Sequence, residues 1–217
     1  PAAATLAWVE RMWAWKTLGA GLDDTLACWM RAHSAHLRAG DPRSAAQIHI
    51  YLGSLYVWTG AWERARAVLD EALHAAERLD SAQLRRSAQY TACKRVAEEG
   101  SYLAAQAAIA AVLSALEDSP RMQAGAHVYQ GLSALRHQLL DEASSAASRA
   151  VASHQSPVIA LASEAITIIV AAQCGRPEGL LDATRALEQA AARAGVLPEF
   201  DAPVELAVVK GYAAVGE

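Results

Sequence analysis

Seven histidines, three cysteines and six tryptophans are the side chains of this 217-residue sequence best suited to chemistry. A metal site needs His, Cys or carboxylate ligands that converge on one ion. Only His33 and His36 stand at a helical spacing that could share one; His49, His74, His127, His137 and His154 are scattered. No carboxylate completes a set beside that pair, and Cys28 lies five and eight residues away. The histidines are therefore expected at the surface, with no metal and no cofactor. Cys28, Cys93 and Cys174 are odd in number, far apart and without a CxxC pair. That spacing is expected of buried, reduced thiols in a cytoplasmic protein. No Gly-x-Ser-x-Gly turn, carboxylate pair or Cys/His dyad is present, so no catalytic residue is assigned and no enzyme is expected.

All six tryptophans, Trp8, Trp13, Trp15, Trp29, Trp58 and Trp62, fall in the first 62 residues. Tryptophan is enriched at binding hot spots, yet packing of the early helices with large residues is the favoured reading over an aromatic-lined pocket. A net charge of −4 gives no electrostatic case for nucleic-acid contact. The most apolar run, Val158 to Cys174, carries Ser163, Glu164 and Thr167 and is too short to span a bilayer. The absence of a basic leader and of an initiator Met is what an excised piece of a longer protein would show.

The elements that must position these residues are helices. Hydrophobic residues make up 53% of the chain, much of it alanine, the best helix former. Strand-type alternation with Asn-Gly or Asp-Gly turns is missing. Helices are expected from about Thr5 to Gly19, Leu22 to Ala39, Pro42 to Thr59, Ala61 to Leu79, onward to Glu99, and Tyr102 to Glu117. Further ones are expected over Arg121–Gln138, Asp141–His154, Pro157–Gly175, Pro177–Ala194 and from Asp201. Asp41-Pro42 is a cap followed by proline in the first turn, a strong start signal. Asp80 with Gln83 reads as a capping box, and Arg66 with Asp70 as an i,i+4 ion pair. Turn markers Gly60, Gly100, Leu139 and Gly175 recur about every 35–40 residues.

One stretch carries a finer pattern: Leu52-Gly53-x-x-Tyr56, then Gly60-x-Trp62, then Ala65, Leu69 and Ala72. It resembles a tetratricopeptide repeat, in which two short antiparallel helices approach at small residues. Gly53 and Ala65 are expected to permit the approach, with Leu52, Tyr56 and Leu69 filling the seam. The units at 86–119 and 124–157 keep Ala105, Gly131, Ala143 and Ala150 in the equivalent slots. The resemblance implies an all-α fold: an α-solenoid of about five stacked helix hairpins in one domain over 1–217, wound as a right-handed superhelix.

The long period and the Ala- and Arg-rich hairpins are also similar to the sensor region of MalT-like members of the LuxR superfamily of bacterial regulators. That likeness implies a module that binds an inducer or regulatory protein, set between nucleotide-binding and DNA-binding modules that this chain does not itself display. In a tetratricopeptide array, the first helix of each pair lines the concave face. Carried onto this sequence, that face comprises Gln47, Ile50, Ser54, Val57 and Trp58 in one pair. The next pair supplies Ser87, Tyr90, Lys94 and Glu98, and the third Val128, Leu132, Leu135 and Arg136. The expected partner is a protein or peptide segment or a small-molecule inducer. The alternative is a scaffold whose apolar ends drive self-association, a homodimer included.

Overall fold

The computed structural model describes residues 22–176, 178–194 and 201–216. Among these, every regular element is an α-helix. They are α1 (Leu22–Arg38), α2 (Pro42–Trp58), α3 (Trp62–Arg78), α4 (Ala82–Glu99) and α5 (Tyr102–Ala115). There follow α6 (Pro120–Arg136), α7 (Leu140–Ser153), α8 (Pro157–Gln173), α9 (Leu180–Ala194) and α10 (Asp201–Val215). The boundaries track the expected ones; the largest difference is α9, which starts at Leu180 rather than Pro177. The helix expected at 5–19, with Trp8, Trp13 and Trp15, lies outside the described residues, as does the stop at Gly195. None of the described helices is long and apolar enough to cross a membrane.

Local chemistry explains where the helices begin and end. Asp41 caps α2, accepting the Ser44 amide at 3.0 Å, with Pro42 in the first turn. Ser101 and Ser156 do the same for α5 and α8. Five described ends share one stop. Gly40, Gly60, Asp80, Gln138 and Gly175 take φ of 69°, 70°, 44°, 58° and 64°. The next amide then reaches back five residues, as in Ala61 to the Tyr56 carbonyl (2.8 Å) and Leu139 to that of Ala134 (3.0 Å). This double-bonded stop satisfies carbonyls that would otherwise be orphaned.

It also corrects two expectations. Asp80 is the left-handed stop of α3, not the cap of α4; Ser81 is the cap, its Oγ accepting the Leu84 amide at 3.4 Å. Gln83 instead accepts from the Arg43 guanidinium at 3.3 Å. The turn assigned to Leu139 is made by its neighbour Gln138. A third correction concerns charge: Arg66 pairs with Glu63, at 3.8 Å, and not with Asp70.

The chain divides into two compact units, one ending at Arg95 and one beginning at Val96, so the boundary falls within α4. In the first unit α2 is packed on two sides. Ile48, Leu52 and Leu55 join Cys28, Trp29 and Ala32 of α1, with the Trp29 and Tyr51 rings 4.8 Å apart. Ala46 and Ile50 join Ala72 and Ala76 of α3 and Leu84 and Ala88 of α4. Leu52 thus packs toward α1, not in the α2–α3 seam alone. In that seam a Cβ placed on Gly53 would stand 2.6 Å from Leu69 Cδ2. Leu69, more than Ala65, is what the glycine admits. α3 buries one stripe, Ala65, Leu69, Ala72 and Ala76, which is why it alternates so cleanly with charged residues.

In the second unit α6 lies against α5, α7 and α8, and α8 against α7, α9 and α10. α8 is covered on both sides, which its near-continuous apolar sequence anticipates: Leu161, Ala165, Ile168 and Ile169 meet Leu180, Leu187, Val204 and Ala207. The seam between α6 and α7 is alanine, with Ala143, Ala146, Ala147 and Ala150 buried.

Candidate functional site

Three helices of the first unit build a groove of about 560 Å³. Its floor and sides are apolar, from Leu37 on α1, Ala45 and Ala46 on α2, and Ala75 on α3. Set into this lining are three imidazoles, one carboxylate and one guanidinium: His33, His49, Glu71, His74 and Arg78. Glu71, His74 and Arg78 follow one another at i, i+3 and i+7 on α3, so they stand in a single row.

His33 and His49 stack, ring centroids 4.0 Å apart and planes inclined by 21°. His49 Nδ1 lies 3.4 Å from a Glu71 carboxylate oxygen. Burial pushes the His33 imidazole below its ordinary range; His49 and His36 push it further, and Glu71 opposes them. Burial likewise lowers His49, against the pull of Glu71. Both shifts favour the neutral ring. His36 Nδ1 lies 3.2 Å from Asp41. Burial raises the Asp41 carboxyl, but hydrogen bonds from Ser44 and the nearby His36 outweigh it and leave its pKa low.

The stacked arrangement cannot chelate, because imidazole lone pairs lie in the ring plane and two parallel faces do not converge. Among the described residues, no set of three or more His, Cys, Asp or Glu is arranged to hold a metal ion. His33 stacks on His49 and shares no ion with His36; the expectation of surface histidines holds for His74 and His137 and is corrected for His33, His36, His49 and His127. His36 is buried, and His33, His49 and His127 are partly so. Cys28 and Cys93 are buried as expected, whereas Cys174 is exposed at the end of α8.

A second polar cluster lies in the other unit, where α5, α6 and α7 meet. Gln130 donates to Gln106 at 2.5 Å and accepts from Arg149 at 3.0 Å, with His127 Nδ1 3.2 Å from the same oxygen. Arg149 also donates to Ser145 at 2.7 Å. Burial lowers the His127 pKa and Arg149 adds to that, while the Gln130 hydrogen bond opposes them. These contacts tie the three helices together.

The residues carried over from the repeat pattern fall in both units. In the first, Gln47 and Ser54 are half-buried and Trp58 is 38% exposed, all on one side of α2. Ser87 and Tyr90 are half-buried, and the Lys94 ammonium sits 4.4 Å from the Tyr90 ring centroid. In the second, Glu98 accepts from Arg136 at 3.2 Å, and the same guanidinium reaches the Glu98 carbonyl. Burial raises the Glu98 carboxyl, with Arg136 pulling the other way. Leu132 is half-buried, and Leu135 lies against the α8–α10 core. Ile50, Val57, Lys94 and Val128 are buried. These four correct the carried-over list: they hold helices together and present no surface to a partner.

The sequence alone does not join the groove histidines, because their partners are far apart along it. The one local signal is the row Glu71, His74, Arg78, whose spacing places three polar groups on one strip of α3. Compared with known proteins, the chain matches no family model and no curated sequence.

Proposed function

We propose that this chain is a tetratricopeptide-like binding module, the sensor or interaction region of a cytoplasmic bacterial transcriptional regulator. The observation that carries the reading is the α2–α3 hairpin: Gly53 against Leu69, a left-handed Gly60, and Trp62 opening the second helix. The order of packing in the second unit agrees with it, since α6 meets α8 and α8 meets α10 across the intervening helices. In this reading the partner is a protein or peptide segment, or a small inducer. It meets the accessible side of α2 through Gln47, Ser54 and Trp58. Replacing Trp58 by alanine is expected to lower capture of such a segment by about tenfold, the range of an aromatic anchor. A peptide-array pull-down with wild-type and Trp58→Ala chains tests this, and equal capture removes the assignment of that face. The regulator context rests on the Ala- and Arg-rich long-period hairpins. The competing reading is a scaffold that self-associates, and a helix-turn-helix module downstream in the gene favours the regulator over it.

A further inference from the structure

We propose that the groove between α1, α2 and α3 is a binding site for a small organic monocarboxylate with an apolar body, its carboxylate held by Arg78 and the neighbouring His74. This deepens the reading of the chain as a binding module and rests on it. A volume of about 560 Å³ matches small-molecule sites, which are mostly apolar with a few placed polar groups. The lining supplies both parts. Leu37, Ala45, Ala46 and Ala75 provide the apolar bed, and Arg78 provides a planar cation suited to a carboxylate. Neither Arg78 nor His74 has a hydrogen-bond or ion-pair partner among the described residues, so both are available to a ligand.

Charge selects the ligand class. Glu71 and Arg78 stand seven residues apart on α3, about 10 Å along the axis, so the groove is acidic at one end and basic at the other. Glu71 is occupied by His49. Around the histidine pair the charged or titratable groups are His36 on α1, and Glu71, His74 and Arg78 on α3. A monoanion beside Arg78 leaves the lining one charge short of neutral. The stacked pair supplies it by taking one proton. It does not readily take two, because imidazolium rings at 4.0 Å repel each other. A monoanion in the groove therefore favours proton uptake by the pair, and the site senses ligand and pH together.

Calorimetric titration of the full chain with octanoate and 3-phenylpropanoate tests this, with octanamide and 3-phenylpropanamide as uncharged controls. Runs at pH 7.0 in Pipes and in Tris separate the proton from the ligand. The acids are expected to bind at least about tenfold more tightly than the amides. Their apparent heats should differ between the buffers, in the sense of proton uptake on binding. Arg78→Gln should weaken the acids about tenfold and leave the amides alone, and His33→Gln/His49→Gln should abolish the buffer dependence. Proton NMR of the imidazole Cε1–H signals gives a readout on the unmodified protein: octanoate should raise the titration midpoint of the pair. Equal binding of acid and amide, absence of binding heat, or unmoved imidazole midpoints would overturn the site. The peptide capture that depends on Trp58 is measured separately. Its survival alongside a failed titration sinks the groove and spares the module, and the reverse result sinks the partner face alone.

Discussion

Gln138 holds φ of 58° at the end of α6, where three other helices place glycine and α3 places Asp80 at 44°. A side chain in the left-handed region costs about 1–2 kcal/mol relative to glycine's freedom, and Asp tolerates it better than Gln. Gln138→Gly should therefore raise stability by about 1 kcal/mol and Asp80→Gly by less, read from urea midpoints. The sequence showed that a chain reversal occurs near each position, because polar residues interrupt the apolar period there. It did not show which residue turns left-handed, since only glycine advertises that conformation. The Asp80 error has the same origin: an acidic residue followed three later by Gln looks like a helix start, and here Ser81 takes that part.

Helix pairs depend on how near two backbones can come. A methyl on Gly53 would meet the Leu69 Cγ and Cδ2, at 2.7 and 2.6 Å, in a seam where Leu69 is 1% exposed. A methyl on Gly131 would meet one terminal carbon, Ile166 Cδ1, at 2.8 Å. Alanine regains up to about 1 kcal/mol of helix propensity at either site. Gly53→Ala should still lose roughly 1–3 kcal/mol through overpacking, and Gly131→Ala should stay close to neutral. Thermal melts of both variants decide this, and equal losses would contradict the difference in seams. Helices were the most legible level of the structure. Ala65, Leu69 and Ala72 at i, i+4 and i+7 mark the buried stripe of α3 directly, and the nearly continuous apolar run of α8 announces a helix covered on both sides. Side assignment on α2 was not legible, because a helix packed front and back shows little periodicity. Only the register carried over from the repeat sets Ile50 and Val57 on an open face, and both are buried.

At the scale of the whole chain, buried histidines set the response to acid. His33, His49 and His127 each have a folded pKa below 6.5. The unfolded chain therefore binds more protons as the pH falls through 6.5. Their contribution to stability is complete above that value and is lost as the pH drops toward the folded pKa values. Glu98 acts in the opposite sense, in a window that opens at 4.5. The urea midpoint should thus be lower at pH 6.0 than at 7.5, and His49→Gln should flatten the difference. No pH dependence in that interval would mean that the rings are solvated. The groove itself was the least legible feature. Residues 33, 49 and 71–78 meet only because three helices fold onto each other, and no local spacing encodes that meeting.

The exposure of Cys174 makes the chain its own reagent test. Cys28 and Cys93 are enclosed, and burial pushes the Cys93 thiol up to about 12. A maleimide dye should couple once per folded molecule, at the end of α8, and three times after denaturation. A fluorophore can thus be stationed on the second unit without altering a residue, giving a reporter of events in that unit.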